Sequence, residues 1–329
     1  MKKALFLIPL VAVLAALAIF WWSVNSKSLD PQGTERDFLI LKGSSASQIA
    51  NKLENEGVIR SPLAFRFYVQ LTSQAKSIQA GEYLLSPASS LFEIVTTLTG
   101  GPKEVWVTIP EGFRREEIAD RFVAGLEKEG DEAASFRSEF LFLTQELEGR
   151  LFPDTYLFPK TAEASLVVNA LKSTFDKRIA EIQDDIDVSS LSLDEIVILA
   201  SIIERETVTS NERPVVSGVL MNRLDIGMGL QVDATVQYVA GGARCQGEAD
   251  CEWWRPPTAT DLSIDSSYNT YRYRGLPPAP IANPGLASLS AAANPEETDY
   301  FYYLHDSSGQ IHFSETLEGH NANKSRYLN

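Results

Sequence analysis

The sequence is poor in the side chains that metal centres and nucleic-acid-binding surfaces require. Its 329 residues include three histidines and two cysteines. Structural zinc sites collect four such ligands at close spacing, so this composition leaves little material for a metal-rich enzyme. Basic residues are also few, because 29 Lys and Arg stand against 44 Asp and Glu, a net charge of −15. A nucleic-acid-binding protein needs a basic face to neutralise phosphates, and this balance argues against that class.

Long apolar runs are absent after the first 26 residues. Residues 4–22 carry no charge, and within them Pro9 alone falls outside the apolar set. As a helix this run would span about 28 Å, enough for a bilayer core. Because Lys2 and Lys3 precede the run, we expect a single-pass inner-membrane anchor with a cytoplasmic N-terminus and a periplasmic, or otherwise extracytoplasmic, remainder. A cleaved signal peptide is the alternative, but no small-residue cleavage site follows Trp21 and Trp22.

The two cysteines, Cys245 and Cys251, fit an exported chain. In an oxidising compartment, two cysteines six residues apart in a loop most simply form a disulfide. Free thiols are a second possibility. A zinc pair is a third, although zinc ligands usually have closer spacing and two further ligands nearby. In each case the pair fixes a loop and performs no chemistry.

A weak internal repeat follows a polar linker at residues 27–36. The segments FLILKGSSASQIANKL and VTIPEGFRREEIADRF, 69 residues apart, each predict a strand, a turn at Gly43 or Gly112, and an amphipathic helix. The first unit resembles a LysM-type glycan-binding module. We therefore predict an α+β protein with an anchor at 1–26, a LysM-like module at 37–104 and a mixed α/β catalytic domain at 105–329.

The second half contains a buried helix that ends in a carboxyl group. Ser192 and Glu195 form a capping box, and residues 196–203 are apolar except for Ser201. Glu204 follows in the last turn, where burial and the negative end of the helix dipole both favour a protonated carboxyl group. Such a group can act as a general acid. Alternatively, Glu204 lies where the helix reaches the surface and pairs with Arg205 or Arg213.

The segments after this helix suit a sugar-binding groove. A second helix should begin at Ser210 or Asn211 and end near Gly227, and LQVDATVQYV alternates enough to predict a strand. Five aromatic residues come next: Trp253, Trp254, Tyr268, Tyr271 and Tyr273. The proline-rich segment GLPPAPIANPG then predicts a stiff, extended loop. Flat aromatic faces beside such a loop fit a glycan chain, although an aromatic hairpin that covers the core fits equally well.

Taken in order, these motifs resemble one enzyme family. The segments ASIIERET, NRL.IGM.LQ.D.TV.Y, YNTY, GLPP.PIANPG and a C-terminal FS.T...HN are similar to those of the endolytic murein transglycosylases, the YceG-like (MltG-type) family. The resemblance runs from about Phe38 to the C-terminus and leaves out the Trp253–Trp254 segment with its cysteine pair. It implies cleavage of β-1,4 bonds between N-acetylmuramic acid and N-acetylglucosamine within nascent glycan strands, which ends their elongation.

The resemblance also assigns residues and a mechanism. The family's catalytic glutamate corresponds to Glu204, which would protonate the leaving oxygen. It would then accept the proton of the muramic acid C6 hydroxyl as a 1,6-anhydro ring closes, so no metal or cofactor is needed. Glu206 lies about 200° further around the helix and is expected to point away. The residues predicted to contact substrate are Gln231, Asp233, Thr235, Tyr268, Asn269 and Asn283.

Two other classes of protein remain open. A non-catalytic glycan-binding scaffold would account for the LysM-like unit and the anchor. A metallohydrolase would need His305, His312 and His320, whose spacings match no compact ligand motif. For an enzyme that ends strand elongation, the expected partners are glycan strands, the membrane and peptidoglycan synthases, with no nucleic acid.

Overall fold

The computed structural model describes residues 4–245 and 251–328, with side chains from residue 13 onward. The chain forms two compact units, one made of residues 1–107 and 156–161 and the other of residues 108–155 and 162–329. Helices and strands occur in both units, so the predicted mixed α+β class is confirmed.

The first unit is built on a small antiparallel sheet. Its helices are α1 (Ala4–Asn25), α2 (Ala46–Asn55), α3 (Pro62–Leu71) and α4 (Leu91–Thr99). The sheet order is β1 (Arg36–Ile40), β2 (Gly81–Leu85), β3 (Glu104–Thr108) and β4 (Thr155–Pro159). Strand β1 pairs antiparallel with β2, placing Phe38 opposite Tyr83 in a core closed by α2, α3 and α4.

Short local signals fix the helices of this unit. Ser45 with Gln48, and Ser90 with Glu93, form capping boxes at the starts of α2 and α4. The backbone of Gly43 turns with φ of 84°, a conformation that favours glycine. The predicted strand, turn and helix of the first repeat are therefore confirmed.

The predicted membrane anchor is wrong on the evidence of this structure. Among the described residues, no helix is both long and apolar enough to cross a membrane. The end of α1 has a packing role instead, because the Trp22 ring lies 5.7 Å from that of Phe67 and 6.1 Å from those of Tyr68 and Phe92. Lys2 and Lys3, on which the predicted orientation rested, lie outside the described residues.

The second unit is mostly helical and is organised around one buried helix. Its helices are α5 (Arg115–Gly125), α6 (Gly130–Leu143), α7 (Ala164–Ala180), α8 (Gln183–Val188), α9 (Leu193–Glu206), α10 (Arg213–Asp225), α11 (Asp233–Arg244), α12 (Leu286–Ala293) and α13 (Leu317–Tyr327). Strands β5 (Tyr302–His305) and β6 (Ile311–Ser314) form an antiparallel hairpin. Helix α9 packs against α10, α11 and α12. Residues 196–203 of α9 are all buried, as predicted.

One predicted strand is a helix. LQVDATVQYV alternates polar and apolar residues, but residues 233–244 form α11. Buried Ala234, Thr235 and Val236 are consecutive, which no strand with one exposed face permits. The preceding Gln231 has φ of 51°, which turns the chain into the helix. The alternation was too short to distinguish the two periods.

Cys245 and Cys251 form a disulfide at the end of α11, with Cα atoms 5.5 Å apart. Replacing both cysteines with serine should lower the free energy of unfolding by at most about 2–3 kcal/mol, because the loop they close is short. Urea denaturation of the wild type with and without reductant measures this contribution. The thiols should resist alkylation until they are reduced, and ready labelling of the native protein would contradict the assignment.

Candidate active site

Helix α9 ends in two glutamates that have different environments. Glu204 has a side chain only 6% exposed. One of its carboxylate oxygens accepts a hydrogen bond from Arg213 Nη2 at 2.8 Å. The other accepts from the backbone N–H of Gly285 at 3.0 Å and from Ser288 Oγ at 2.8 Å. Gly285 immediately precedes α12, so the positive end of that helix faces the carboxylate.

These contacts give Glu204 the features of a structural ion pair. Both oxygens are occupied by protein donors, one of them a guanidinium group that also contacts Glu111 at 3.3 Å. The pairing with Arg213 that the sequence left open is therefore present. Charged donors around a buried carboxylate hold it in place. A general acid must instead present a proton to an open space.

Glu206, unlike Glu204, has open space beside its side chain. It lines a cavity of about 450 Å³ in the second unit. Burial raises the pKa of the Glu206 carboxyl, and the nearby charge of Asp233 acts in the same direction. Tyr303 on β5 donates a hydrogen bond to Glu206 at 2.8 Å and acts in the opposite direction. The cavity is lined by Glu206, Arg223, Gln231, Asp233, Tyr271, Tyr302, Tyr303, Leu304, His305, Leu317, His320 and Lys324.

The start of α11 brings two predicted residues to this cavity. Gln231 and Asp233 both line it, and Tyr271 Oη donates to Asp233 at 2.6 Å. The left-handed backbone of Gln231 is held because its N–H donates to the carbonyl of Thr270 at 3.2 Å. Such strain in a residue other than glycine persists where surrounding contacts enforce it.

The other predicted contacts lie in the protein interior. Thr235 is fully buried and bonds the Thr270 hydroxyl at 2.9 Å. Asn269 donates to the carbonyls of residues 262 and 264. Asn283 donates to the Phe113 carbonyl and to Glu148. Tyr268 is half-buried, and its ring centroid lies 5.1 Å from that of Tyr238. These four side chains support loops and do not line the cavity.

The two tryptophans that follow Cys251 also have structural contacts. Trp254 Nε1 donates to Glu117 at 3.0 Å, and the Arg205 guanidinium lies 3.9 Å from the Trp254 ring centroid. The Arg114 guanidinium lies 4.4 Å from the Trp253 ring. Two cations are thus held against aromatic faces, and this segment orders its surroundings.

The three histidines do not converge. His305 Nε2 lies 3.3 Å from Glu212, and His312 Nε2 lies 2.8 Å from Asp306. His320 stacks on Tyr302, with ring centroids 5.3 Å apart. Within residues 4–245 and 251–328, no group of three or more His, Cys, Asp or Glu side chains is placed to hold a metal ion.

A second buried carboxyl group lies away from the cavity. Glu148 accepts hydrogen bonds from the Arg115 N–H at 3.1 Å and from Asn283 Nδ2 at 2.7 Å. Burial, together with the charge of Glu116, raises the pKa of Glu148 to about 8, although Arg114 and Arg115 lower it. It lines a separate cavity of about 300 Å³, together with residues of the proline-rich loop such as Pro278 and Pro280.

Glu148 should make the stability of the folded protein depend on pH. Between its ordinary pKa of 4.5 and about 8, the folded state binds a proton that the unfolded state releases. Stability should therefore fall as pH rises through this window, by up to about 1.4 kcal/mol per pH unit. Glu148→Gln should flatten the decline in urea midpoints between pH 5 and pH 8.5. The exposed neighbour variant Glu146→Gln should retain it, and an unchanged slope in Glu148→Gln would refute the assignment.

The Glu206 cavity thus brings together a buried carboxyl group with a raised pKa, a second carboxylate and hydroxyl groups, which are the side-chain types that general acid catalysis uses. The chain belongs to the YceG-like family, whose sequence profile matches residues 38–326. The resemblance found in the motifs is thereby confirmed.

Individual relatives agree with this membership. The chain is 33% identical over 313 residues to the endolytic murein transglycosylase of Bacillus subtilis strain 168, covering 88% of this chain and 84% of that protein. It is 27% identical over 326 residues to the protein of the same name from Streptococcus pneumoniae serotype 2 strain D39, covering 88% of this chain and 58% of that one. The crystal structure of a YceG-like protein from Listeria monocytogenes is similar, with a TM-score of 0.59, 33% identity, and coverage of 88% of this chain and 98% of that one.

Proposed function

We propose that this chain is an endolytic murein transglycosylase. It cleaves β-1,4 bonds between N-acetylmuramic acid and N-acetylglucosamine within nascent glycan strands, leaves 1,6-anhydro ends and so terminates elongation. The observation that carries the proposal is the Glu206 cavity in a chain of the YceG-like family. The names of the relatives support the same reaction.

Within this activity we assign the catalytic carboxyl group to Glu206. Its carboxyl group is buried, its pKa is raised, and it borders a space of about 450 Å³. Glu204, the residue predicted from the sequence, stays a prediction, but its oxygens are already bonded to Arg213, Gly285 and Ser288. Protein donors therefore take three of the roughly four acceptor positions of the Glu204 carboxylate, whereas Glu206 accepts from Tyr303 and the Ala234 N–H.

A single carboxyl group that acts twice is then sufficient for the reaction. Protonated Glu206 donates its proton to the glycosidic oxygen as the bond to C1 of the muramic acid breaks. The resulting carboxylate accepts the proton of the C6 hydroxyl, whose oxygen attacks C1 and closes the 1,6-anhydro ring. Glu206 is protonated again at the end, and no water is consumed. A hydrolase ordinarily needs a second carboxylate to activate water.

Neighbouring side chains can support these steps. Tyr303 fixes the Glu206 carboxyl group through its hydrogen bond. Asp233, itself fixed by Tyr271, places negative charge in the cavity. A negative charge near C1 favours the oxocarbenium-like transition state of glycoside cleavage. Gln231 adds an amide for the sugar's polar groups. The roles of residues 37–104 as a LysM-like glycan-binding module and of peptidoglycan synthases as partners remain predictions.

The products that the protein releases from purified murein test the proposal. Mass spectrometry should find new 1,6-anhydromuramic ends from cuts inside the strands. Reducing ends would show hydrolysis and would refute the lyase reaction. Binding to murein without any released fragment would favour the non-catalytic scaffold.

A further inference from the structure

One side of the Glu206 cavity is basic. Arg223, His320 and Lys324 all line it and are here called the basic wall. Tyr302 holds two of them in place, because its ring stacks on His320 at 5.3 Å and lies 5.6 Å from the Arg223 guanidinium. Two of the three side chains are therefore arranged around one aromatic ring, and the exposed Lys324 completes the basic wall.

The charges of the basic wall have no acidic partners among the described residues. The Arg223 side chain is 7% exposed, and its guanidinium donates to the backbone carbonyls of Leu230 and Phe301 rather than to a carboxylate. No ion pair involves Lys324 within residues 4–245 and 251–328. An unneutralised basic cluster is unexpected in a chain with 44 acidic and 29 basic residues. It leaves positive charge in the lining of a cavity that also contains Glu206 and Asp233.

His320 adds a hydrogen-bond donor to this wall. Its Nδ1 is buried and has no hydrogen-bond partner in the described part of the chain. A buried N–H without an acceptor is costly, so we place the ring proton on Nε2. Burial lowers the pKa of His320, as do Lys324 and Arg223. The neutral ring thus offers one N–H donor beside two cations.

We infer that the basic wall binds a carboxylate on the muramic acid side chain of the substrate, an inference that rests on the proposed function. Each muramic acid carries a lactyl ether whose carboxyl group is either linked to a peptide with carboxylates of its own or free. Lys324 and Arg223 supply the charge, and His320 supplies a directed hydrogen bond. N-Acetylglucosamine carries no such group. The contact therefore selects muramic acid for the cavity and orients its C1 and C6 towards Glu206.

The test compares three substrates under initial-rate conditions. The first is glycan strands with intact stem peptides, the second is the same strands with their carboxylates amidated, and the third is strands stripped of peptide, which keep the lactyl carboxylate. The wild type should prefer a carboxylate-bearing strand over the amidated one by about tenfold in kcat/KM, through KM. Lys324→Gln should remove most of that preference, and His320→Gln should reduce it. High salt should weaken it in the wild type.

Arg326→Gln is the matched control, because it removes the same charge from the same helix at an exposed residue that does not line the cavity. It should keep the full preference. If only the peptide-bearing strands are preferred over the amidated strands, the bound carboxylate lies on the stem peptide. If the stripped strands are preferred as well, the bound carboxylate is that of the lactyl group. If the wild type cleaves all three equally, or Lys324→Gln and Arg326→Gln behave alike, the inference is overturned. Wild type that cleaves none of them would instead refute the proposed function.

Discussion

Glu206→Gln should lower the rate of murein cleavage by at least about 10³-fold while the protein stays folded. Positioned acid–base catalysis is typically worth about 10²–10⁴-fold, and here one group performs both proton transfers. Glutamine keeps the volume of the side chain and can still accept the hydrogen bond from Tyr303. Release of 1,6-anhydro fragments from murein measures the rate, and circular dichroism checks the fold.

Glu204→Gln is the matched comparison, two residues away on the same helix. This variant should lose stability, because an amide replaces the carboxylate that pairs with Arg213. Its activity per folded molecule should fall far less than that of Glu206→Gln. The reverse result, an inactive folded Glu204→Gln and an active Glu206→Gln, would return the catalytic role to Glu204.

The pH dependence of the rate supplies an independent readout. A general acid works while it is protonated, so the rate should fall at the alkaline side as Glu206 ionises. The Tyr303 hydrogen bond lowers the pKa of Glu206. Tyr303→Phe should therefore raise that pKa and move the alkaline limb of kcat to higher pH. If the alkaline limb does not move, the ionisation that controls the rate is not that of Glu206.

Local sequence signals predicted the parts of the fold that are decided within one segment. The Ser192–Glu195 capping box marked the start of α9, and the apolar run after it is buried as expected. Pro214 lies in the first turn of α10, where its missing N–H costs nothing, although this helix begins at Arg213 and not at Ser210 or Asn211 as predicted. These features depend on neighbours a few residues apart. They can therefore be predicted from the sequence alone.

The site depended on contacts between distant segments, and there the predictions were incomplete. The helical angle separated Glu206 from Glu204, and the sequence reasoning placed the chemistry on Glu204, which stays a prediction. Tyr303 on β5 and Asp233 on α11, 97 and 27 residues later in the chain, bury Glu206 and shape its cavity. Since residues 230–239 were predicted to be a strand, the position of Asp233 relative to Glu206 could not be predicted.

The polar loop residues also have contacts that the sequence did not reveal. Asn269 and Asn283 lie in motifs rich in tyrosine and proline, which suggested groups aimed at a glycan. Their amides instead satisfy backbone carbonyls that the irregular loops leave without partners. A sequence shows which loops lack regular hydrogen bonding, but not which side chains will compensate for it.

Arg213→Met should be among the most destabilising single substitutions in the second unit. Its side chain is 9% exposed, and its guanidinium lies 2.8 Å from the carboxylate of Glu204, which is 6% exposed. Removing the arginine leaves a buried carboxylate without its cation, a change that typically costs about 3–5 kcal/mol. The midpoint and slope of urea unfolding measure the loss. Arg213→Lys, which keeps a charge but not the guanidinium geometry, should lose less.

A double variant separates ion pairing from packing. If the loss in Arg213→Met comes from the unpaired carboxylate, adding Glu204→Gln should restore part of the stability, because the remaining amide is neutral and can still accept from Gly285 and Ser288. The double-mutant cycle should then give a coupling energy of at least about 1 kcal/mol between the two sites. Additive losses would show that Arg213 stabilises the unit through its stem alone. They would also weaken the case that Glu204 is committed to structure, on which the assignment of catalysis to Glu206 partly depends.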